Sequence, residues 1–210
     1  MFLLLLVAAF AGLGAGVTSP ELDKVKALTG GARQECELGR AAVERSDRLA
    51  HFEEGQRLAE QAVALEERYA DAHFALFCNL GELVRLDGES LSSLAGYPRM
   101  MQELNRALEL DPEHLDAMSA KGTFLVRLPA LLGGDTEEGE RLLRNVIQRD
   151  PQAVNARLSL AKSVSARGNH TEAMTLATDA LTFAKSGNHP DFVPEAEAII
   201  EAVRAKLAEQ

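Results

Sequence analysis

The sequence predicts an all-α fold, a solenoid of about four helical hairpins closed by a C-terminal helix. The first observation is an amphipathic helix that recurs four times along the chain. Each copy contains a triplet of residues spaced seven and then five positions apart, and the first two members of the triplet are mostly small. Repeats with periods of about 20–50 residues are typical of solenoids, in which each unit buries its apolar face on its neighbours. The four copies of the triplet are Gly55-Ala62-Glu67, Met100-Ala107-Pro112, Gly139-Val146-Pro151 and Ala173-Ala180-Lys185.

Composition is the second observation. Aromatic residues make up only 5% of the chain and tryptophan is absent, while alanine, leucine and glutamate are abundant, which favours helices over strands. The 210 residues suffice for one domain after an N-terminal segment. A formal net charge of −10 opposes binding to nucleic acid, because the phosphate backbone would repel an acidic surface.

Residues typical of helix boundaries are the third observation. Asp111-Pro112 and Asp150-Pro151 each place a capping carboxylate before a proline, which is tolerated at the first position of a helix. Asp135 has the same capping role before a later helix. The predicted A and B helices of the four hairpins span 32–45 and 52–67, 70–85 and 98–110, 112–128 and 136–149, and 151–166 and 171–185, and the capping helix spans 194–210.

The turns inside the two middle hairpins are longer than the others. Twelve residues separate Val43, at the predicted centre of the first A helix, from Gly55; this step is also 12 in the fourth hairpin, but 23 in the second and 17 in the third. The sequence therefore predicts insertions at 86–97 and 128–134 on the same rim. Such insertions often mark a binding face, with Tyr97 as the candidate rim contact, or they only lengthen helices and fill space.

The N-terminal segment is apolar and predicts export. Residues 1–17 contain a run of about ten apolar residues followed by small ones, which is typical of a signal peptide. Residues 18–31 are interpreted as a linker to a repeat domain over 32–210. We expect an exported protein, periplasmic or secreted. The alternative is a protein anchored to the membrane through residues 2–17, if these are not cleaved.

Motifs that would indicate catalysis are missing. The metal-binding patterns HExxH and CxxC and the nucleophile pattern GxSxG do not occur, and the five histidines are scattered. We therefore expect no enzyme, no metal and no cofactor. Cys36 and Cys78 fall at positions 1 and 9 of successive predicted A helices, about 12 Å apart along the axis. That offset is too large for a disulfide, so we expect them to be packing residues.

The repeat resembles the tetratricopeptide repeat (TPR) over roughly residues 33–185, which implies a right-handed superhelix. A narrower resemblance lies in 73–76 (HFAL), 79–81 (NLG) and 128–135 (LPALLGGD). These segments are similar to exported TPR proteins of the TRAP-transporter T-component kind and to the regulator-of-microtubule-dynamics proteins. The first group implies a periplasmic accessory to organic-acid uptake that works with a solute-binding protein.

In TPR proteins the A helices line a concave groove, which implies a set of contact residues here. We expect the groove to hold a peptide segment, or a small anion between Arg127 and Lys162, although an ordinary solvated face is the alternative. The resemblance implies a scaffold or adaptor for another protein, with a carrier of organic acids as the second hypothesis; association between copies stays open. The mapped residues are Asp71, Phe74, Cys78, Glu82, Asp116, Ser119, Thr123, Arg127, Asn155, Leu158 and Lys162.

Overall fold

The computed structural model describes residues 18–88, 91–187 and 189–209, and the predicted signal peptide at 1–17 lies outside them. Within these ranges the chain forms helices without any strand, which confirms the predicted all-α class. The helices are α1 (Ser19–Ala41), α2 (Arg45–Leu65), α3 (Ala70–Asp87), α4 (Leu91–Leu110), α5 (Leu115–Arg127), α6 (Thr136–Arg149), α7 (Val154–Ala166), α8 (His170–Ser186) and α9 (Val193–Ala208). None of the described helices is both long enough and apolar enough to cross a membrane.

Consecutive helices pair into four hairpins, and the small residues lie where the two helices of a hairpin cross. A β-carbon placed on Gly139 of α6 would lie 2.8 Å from the carbonyl oxygen of Gly122 in α5, so only glycine permits this approach. Ala173 and Ala180 of α8 are fully buried in the same way. The helix α9 packs against α7 and α8 and covers the end of the solenoid.

The first helix differs from the prediction, because the proposed linker 18–31 is helical. Thr18 and Glu21 form a capping box, in which the Thr18 backbone amide and hydroxyl donate to the Glu21 carboxylate at 3.0 and 2.7 Å. Val25 is fully buried against Ala62 and Ala72, and this packing outweighs the poor helix propensity of the Gly30-Gly31 pair.

The end of α1 differs as well. The helix stops at Ala41, so Val43 is not the centre of an A helix but lies in the turn to α2 with 90% of its surface exposed. The prediction of a helix over 32–45 is therefore wrong at both ends, and the step of twelve residues to Gly55 does not start at the centre of an A helix. The buried stripe Val25, Thr29, Ala32, Cys36 marks the true inward face of α1.

The two predicted insertions have different structures. Most of the described part of 86–97 is helical, since α3 extends to Asp87 and α4 begins at Leu91, so this insertion mainly lengthens helices. The insertion 128–134 is a loop with one 3-10 turn at Ala130–Leu132, and Asp135 then caps α6 by accepting from the Glu138 amide at 3.0 Å. Leu131 is 95% exposed, so this loop does not fill space in the core.

The hydrophobic core has two main parts. The larger part includes Leu143 and Leu160 and joins α5 through α9. Leu76 and Leu104 belong to the other part, formed mostly by α1 through α4. Among the described residues, α4 and α5 pack more sparsely than any other consecutive helices. The molecule is therefore two well-packed halves that meet at α5.

Candidate functional site

The A helices α1, α3, α5 and α7 form one continuous surface, which we call the inner face. The helix α1 packs against α3, α5 against α7 and α7 against α9, whereas α3 and α5 meet through side chains such as Phe77 and Phe124. All eleven residues predicted for the groove lie on α3, α5 or α7. The structure therefore places the predicted residues on a common set of helices, but their burial and partners differ greatly.

At the first pair of A helices the structure brings together a group that we call the thiol cluster: Cys36, Arg40, Cys78 and Glu82. The Arg40 Nε donates to Glu82 Oε1 at 2.7 Å, and its Nη2 donates to Cys78 Sγ at 3.3 Å. The Sγ atoms of Cys36 and Cys78 lie 2.7 Å apart.

The expected separation of the two cysteines is therefore wrong. It depends on Val43 being the centre of the first A helix, which would put Cys36 at the start of that helix. Because α1 begins at Ser19, Cys36 lies in its second half, level with Cys78 in the middle of α3. Asn79 holds this alignment, since its Nδ2 donates to the Ala32 carbonyl at 3.0 Å from a fully buried position.

Opposite effects act on the two thiols. The hydrogen bond from Cys36 and the nearby charge of Arg40 lower the pKa of Cys78, although burial opposes this. The same hydrogen bond, together with burial, raises the pKa of Cys36. Burial alone would lower the pKa of Arg40, but the charges of Cys78, Cys36 and Glu82 outweigh it and raise the pKa.

A second group links α1, α3 and α5, and we call it the Arg33 cluster. Arg33 Nη2 donates to Asp116 Oδ2 at 3.1 Å and its Nη1 lies 4.0 Å from Asp71 Oδ1. The Nε2 of His114 is 3.1 Å from the same Asp71 oxygen. This hydrogen bond lowers the pKa of Asp71.

Beside it lies an aromatic cluster of Phe74, Phe77, Tyr97, His114 and Phe124. The ring of Phe74 lies 5.6 Å from that of Phe77 and 4.9 Å from that of His114. Phe124 meets Phe77 and Tyr97 edge-on, at 6.0 and 6.2 Å. These rings bridge the sparse packing between α4 and α5, and Phe74 and Tyr97 remain partly exposed.

Tyr97 therefore has a different place from the one predicted. It lies within α4 and packs against α5, rather than in a turn at the rim. Burial raises the pKa of its hydroxyl. Its partly exposed ring borders the junction of α4 and α5, so Tyr97 stays a candidate contact there instead of at the rim.

Hydroxyl and amide groups connect α5 and α7. The Thr123 hydroxyl donates to Ser159 Oγ at 2.8 Å, and Asn155 Nδ2 donates to Ser119 Oγ at 3.3 Å. Three predicted contact residues are buried instead of accessible: Glu82 and Leu158 are each 1% exposed and Ser119 is 7% exposed. Their side chains are buried between packed helices. The sequence pattern does not distinguish such positions from those on the exposed surface of the A helices.

The predicted anion site between Arg127 and Lys162 is not supported in its full form. Lys162 Nζ lies 2.5 Å from Glu195 Oε1 on α9, so its charge is already paired. Arg127 is exposed at the end of α5 and pairs with no carboxylate among the described residues. Only one of the two predicted cations is thus available.

Two open depressions of about 550 and 680 Å³ lie elsewhere on the molecule. The first is lined mainly by α6, around Glu140 and Arg144, and the second mainly by α4, around Glu103 and Arg106. None of the predicted groove residues lines either depression. In the described parts of the chain, no group of three metal-binding side chains is placed to hold an ion.

Comparisons with known proteins bear on the fold. No protein-family model and no curated protein matches the chain. TTC0263, a thermophilic TPR protein of Thermus thermophilus, superposes with a TM-score of 0.58 and 18% identity over 88% of this chain and 81% of that one. This chain has a TPR-type fold. At this identity the likeness extends to the fold alone.

Two further solved structures resemble the chain more distantly. Yeast Tom70 matches with a TM-score of 0.48 and 15% identity, over 90% of this chain and 42% of Tom70. YrrB, described as a TPR protein with an unusual peptide-binding site, has a TM-score of 0.38 and 16% identity over 72% of this chain and 85% of its own.

Sequence reasoning missed Arg33, Cys36, Arg40 and His114 as members of the inner face. The first three were missed because the first A helix was placed about a dozen residues too late. The signal was present, since Arg33, Cys36 and Arg40 follow each other at three- and four-residue spacing on one helical face.

Proposed function

We propose that this protein is a binding scaffold that holds a segment of another protein along its inner face. The observation that carries the proposal is the partly exposed aromatic cluster between α3, α4 and α5, directly beside the charged side chains of the Arg33 cluster. Aromatic side chains with polar neighbours are typical anchors of protein interfaces.

The charges favour one kind of partner. The chain carries a formal net charge of −10, and Asp71 and Asp116 are partly or fully exposed on the inner face. Electrostatic complementarity therefore favours a neutral or basic segment with at least one large apolar side chain, which would pack against Phe74. Free hydrogen-bonding capacity on Asn155 would orient the backbone of that segment.

Within this proposal, we place the scaffold outside the cytoplasm, as an adaptor for another exported or envelope protein and an accessory to solute uptake. The apolar segment 1–17 and the resemblance at 73–76 and 128–135 support this refinement. The alternative, a carrier of small organic acids, is less well supported because Lys162 is paired with Glu195.

Site-directed photo-crosslinking tests the scaffold proposal. A crosslinking amino acid replaces Asp116 or Asn155 on the inner face, and Gln148 or Thr178 on the outer helices α6 and α8 as matched exposed controls. We expect a discrete crosslinked product in native extracts from the inner-face positions only, weakened by Phe74→Ala. Products from the outer positions alone would refute the proposal.

Mass spectrometry of the purified protein tests export separately. A mature N-terminus near residue 17 is the expected result. An intact Met1 would contradict cleaved export while leaving the scaffold proposal unaffected.

A further inference from the structure

We propose that Cys36 and Cys78 form a redox-active pair, which a disulfide-containing oxidant converts into an intramolecular disulfide between α1 and α3. Their Sγ atoms already lie 2.7 Å apart. The proposal concerns a modification site and does not depend on which partner the inner face binds.

The surrounding contacts hold the two helices in the register that the bond needs. Asn79, next to Cys78, donates to the Ala32 carbonyl of α1 at 3.0 Å. One turn further along, Arg40 of α1 pairs with Glu82 of α3 at 2.7 Å. Because contacts on both sides align α1 with α3, the disulfide can form without a shift of either helix.

Arg40 makes the two thiols unequal. Its guanidinium lies 3.3 Å from Cys78 Sγ and is held there by the buried carboxylate of Glu82. A cation beside a thiol favours the thiolate, which is the nucleophilic form. The lowered pKa of Cys78 and the raised pKa of Cys36 agree with this geometry, so Cys78 is the attacking residue and Cys36 the resolving one.

The solvent exposure of the two cysteines agrees with these roles. Cys78 is partly exposed, whereas Cys36 is 1% exposed. An oxidant from solvent therefore reaches Cys78 first. A structural zinc ion takes four ligands, but in the described parts of the chain the two thiols belong to no group of three side chains placed to hold an ion, and the nearby Glu82 carboxylate is paired with Arg40. The arrangement therefore suits thiol chemistry better than metal binding.

The reaction is a thiol–disulfide exchange with a small disulfide of the glutathione type. The Cys78 thiolate attacks one sulfur of the oxidant and forms a mixed disulfide, releasing one thiolate of the oxidant. Cys36 then loses its proton and attacks Cys78 Sγ, which releases the second thiolate. Overall, the two cysteines are oxidised by two electrons, and one molecule of oxidant is reduced to two thiols.

The test uses the purified full chain, reduced and then equilibrated with oxidised glutathione. After the oxidised protein is unfolded in urea without reductant, we expect neither cysteine to react with maleimide. We also expect no retained glutathione and a Cys36–Cys78 crosslinked peptide in a monomer. Two thiols that remain reactive after this treatment, or a disulfide between two molecules, would overturn the proposal.

Single variants separate the two roles. In Cys36→Ser we expect Cys78 to keep one glutathione, because the resolving thiol is missing. In Cys78→Ser we expect no adduct, since Cys36 is buried. Equal adducts on both variants would show that neither cysteine is the preferred nucleophile and would refute the assignment.

The role of Arg40 is that of a positioning residue, and alkylation rates at neutral pH test it. We expect Arg40→Gln to slow alkylation of Cys78 in the Cys36→Ser background several-fold, because loss of the neighbouring cation raises the pKa of Cys78 and leaves less thiolate. Arg40→Lys, which keeps the charge, should restore most of the rate, and Arg57→Gln on α2 serves as the control. A uniform rate in all four proteins would exclude the role of Arg40.

Discussion

The first two A helices and the last two are held together by different interactions. Between α1 and α3 the contacts include a buried amide, an ion pair and two thiols, as in Asn79 to Ala32 and Arg40 to Glu82. Around α7, Leu158 and Leu160 are buried in the larger core, and the polar contacts to α5 are neutral hydroxyl and amide hydrogen bonds, without an ion pair or a thiol among the described contacts. Buried polar groups depend on correct partners, whereas apolar packing depends on volume.

This difference predicts two kinds of sensitivity within one repeated unit. The N-terminal half, α1 to α4, should respond to changes that remove a hydrogen bond or alter protonation. The C-terminal half, α5 to α9, should respond to changes in side-chain volume. The sparse packing between α4 and α5 should allow each response to stay largely within its own half.

The largest effect is expected from Leu160→Ala, which leaves a cavity in the larger core. Its side chain is fully buried, so we expect the free energy of unfolding to fall by about 2–5 kcal/mol in urea denaturation. Hydrogen exchange should accelerate in α5 to α9 more than in α1 to α4. An equal acceleration in both halves would contradict the division at α5.

Next in size is Asn79→Ala, which removes two hydrogen bonds to the carbonyls of Ala32 and Ala75. We expect a loss of about 1–3 kcal/mol, because these buried groups lose their partner. Asn105→Ala on the exposed side of α4 is the matched control and should change stability by less than about 0.5 kcal/mol. Similar losses in both variants would refute the role of the buried amide.

The close approach of Gly55 to Asn79 gives a second test of the buried amide. A β-carbon on Gly55 would lie 2.1 Å from Asn79 Oδ1, so Gly55→Ala must displace the amide from its site. We expect a loss of stability at least as large as that of Asn79→Ala, and no further loss when the two changes are combined. Additive losses would show that the two residues act independently.

A smaller effect is expected from pH, through His73. Burial alone would lower the pKa of His73, but its hydrogen bonds to Glu103 at 2.6 Å and to the Glu67 carbonyl at 2.7 Å outweigh burial and raise it. A raised pKa stabilises the fold below the unfolded value of about 6.5, and this contribution is lost as pH rises through the folded value.

Urea denaturation on either side of neutrality measures this contribution. The wild type should be more stable at pH 6 than at pH 8 by an amount that disappears in His73→Gln. A variant with the same pH dependence as the wild type would assign the effect to another group.

The smallest effect is expected from Arg33→Ala. Its ion pair with Asp116 at 3.1 Å is exposed, and such pairs contribute only about 0–1 kcal/mol. The loss should shrink further at high salt, which screens surface charges. A loss that is independent of salt would indicate that Arg33 acts through packing instead.

Much of the fold was predictable because the information is local. Asp135 and Asn169 accept from backbone amides at the starts of α6 and α8, and these caps are recognisable within four residues of sequence. The start of α1 was missed because Gly30-Gly31 has a poor helix propensity, which burial of Val25 overrides. For the candidate site, the sequence predicted which helices contribute residues, but only partly which of those residues are accessible.

The amino-acid sequence by itself determined the helical hairpins, since small residues at fixed spacing and caps at helix starts act within one hairpin. Only the tertiary structure decided that Cys36 meets Cys78, that Arg33 reaches Asp116 and that Leu158 is buried. These contacts depend on the axial offset and rotation between helices of different hairpins. That offset results from the packing of the whole core, which no local pattern specifies.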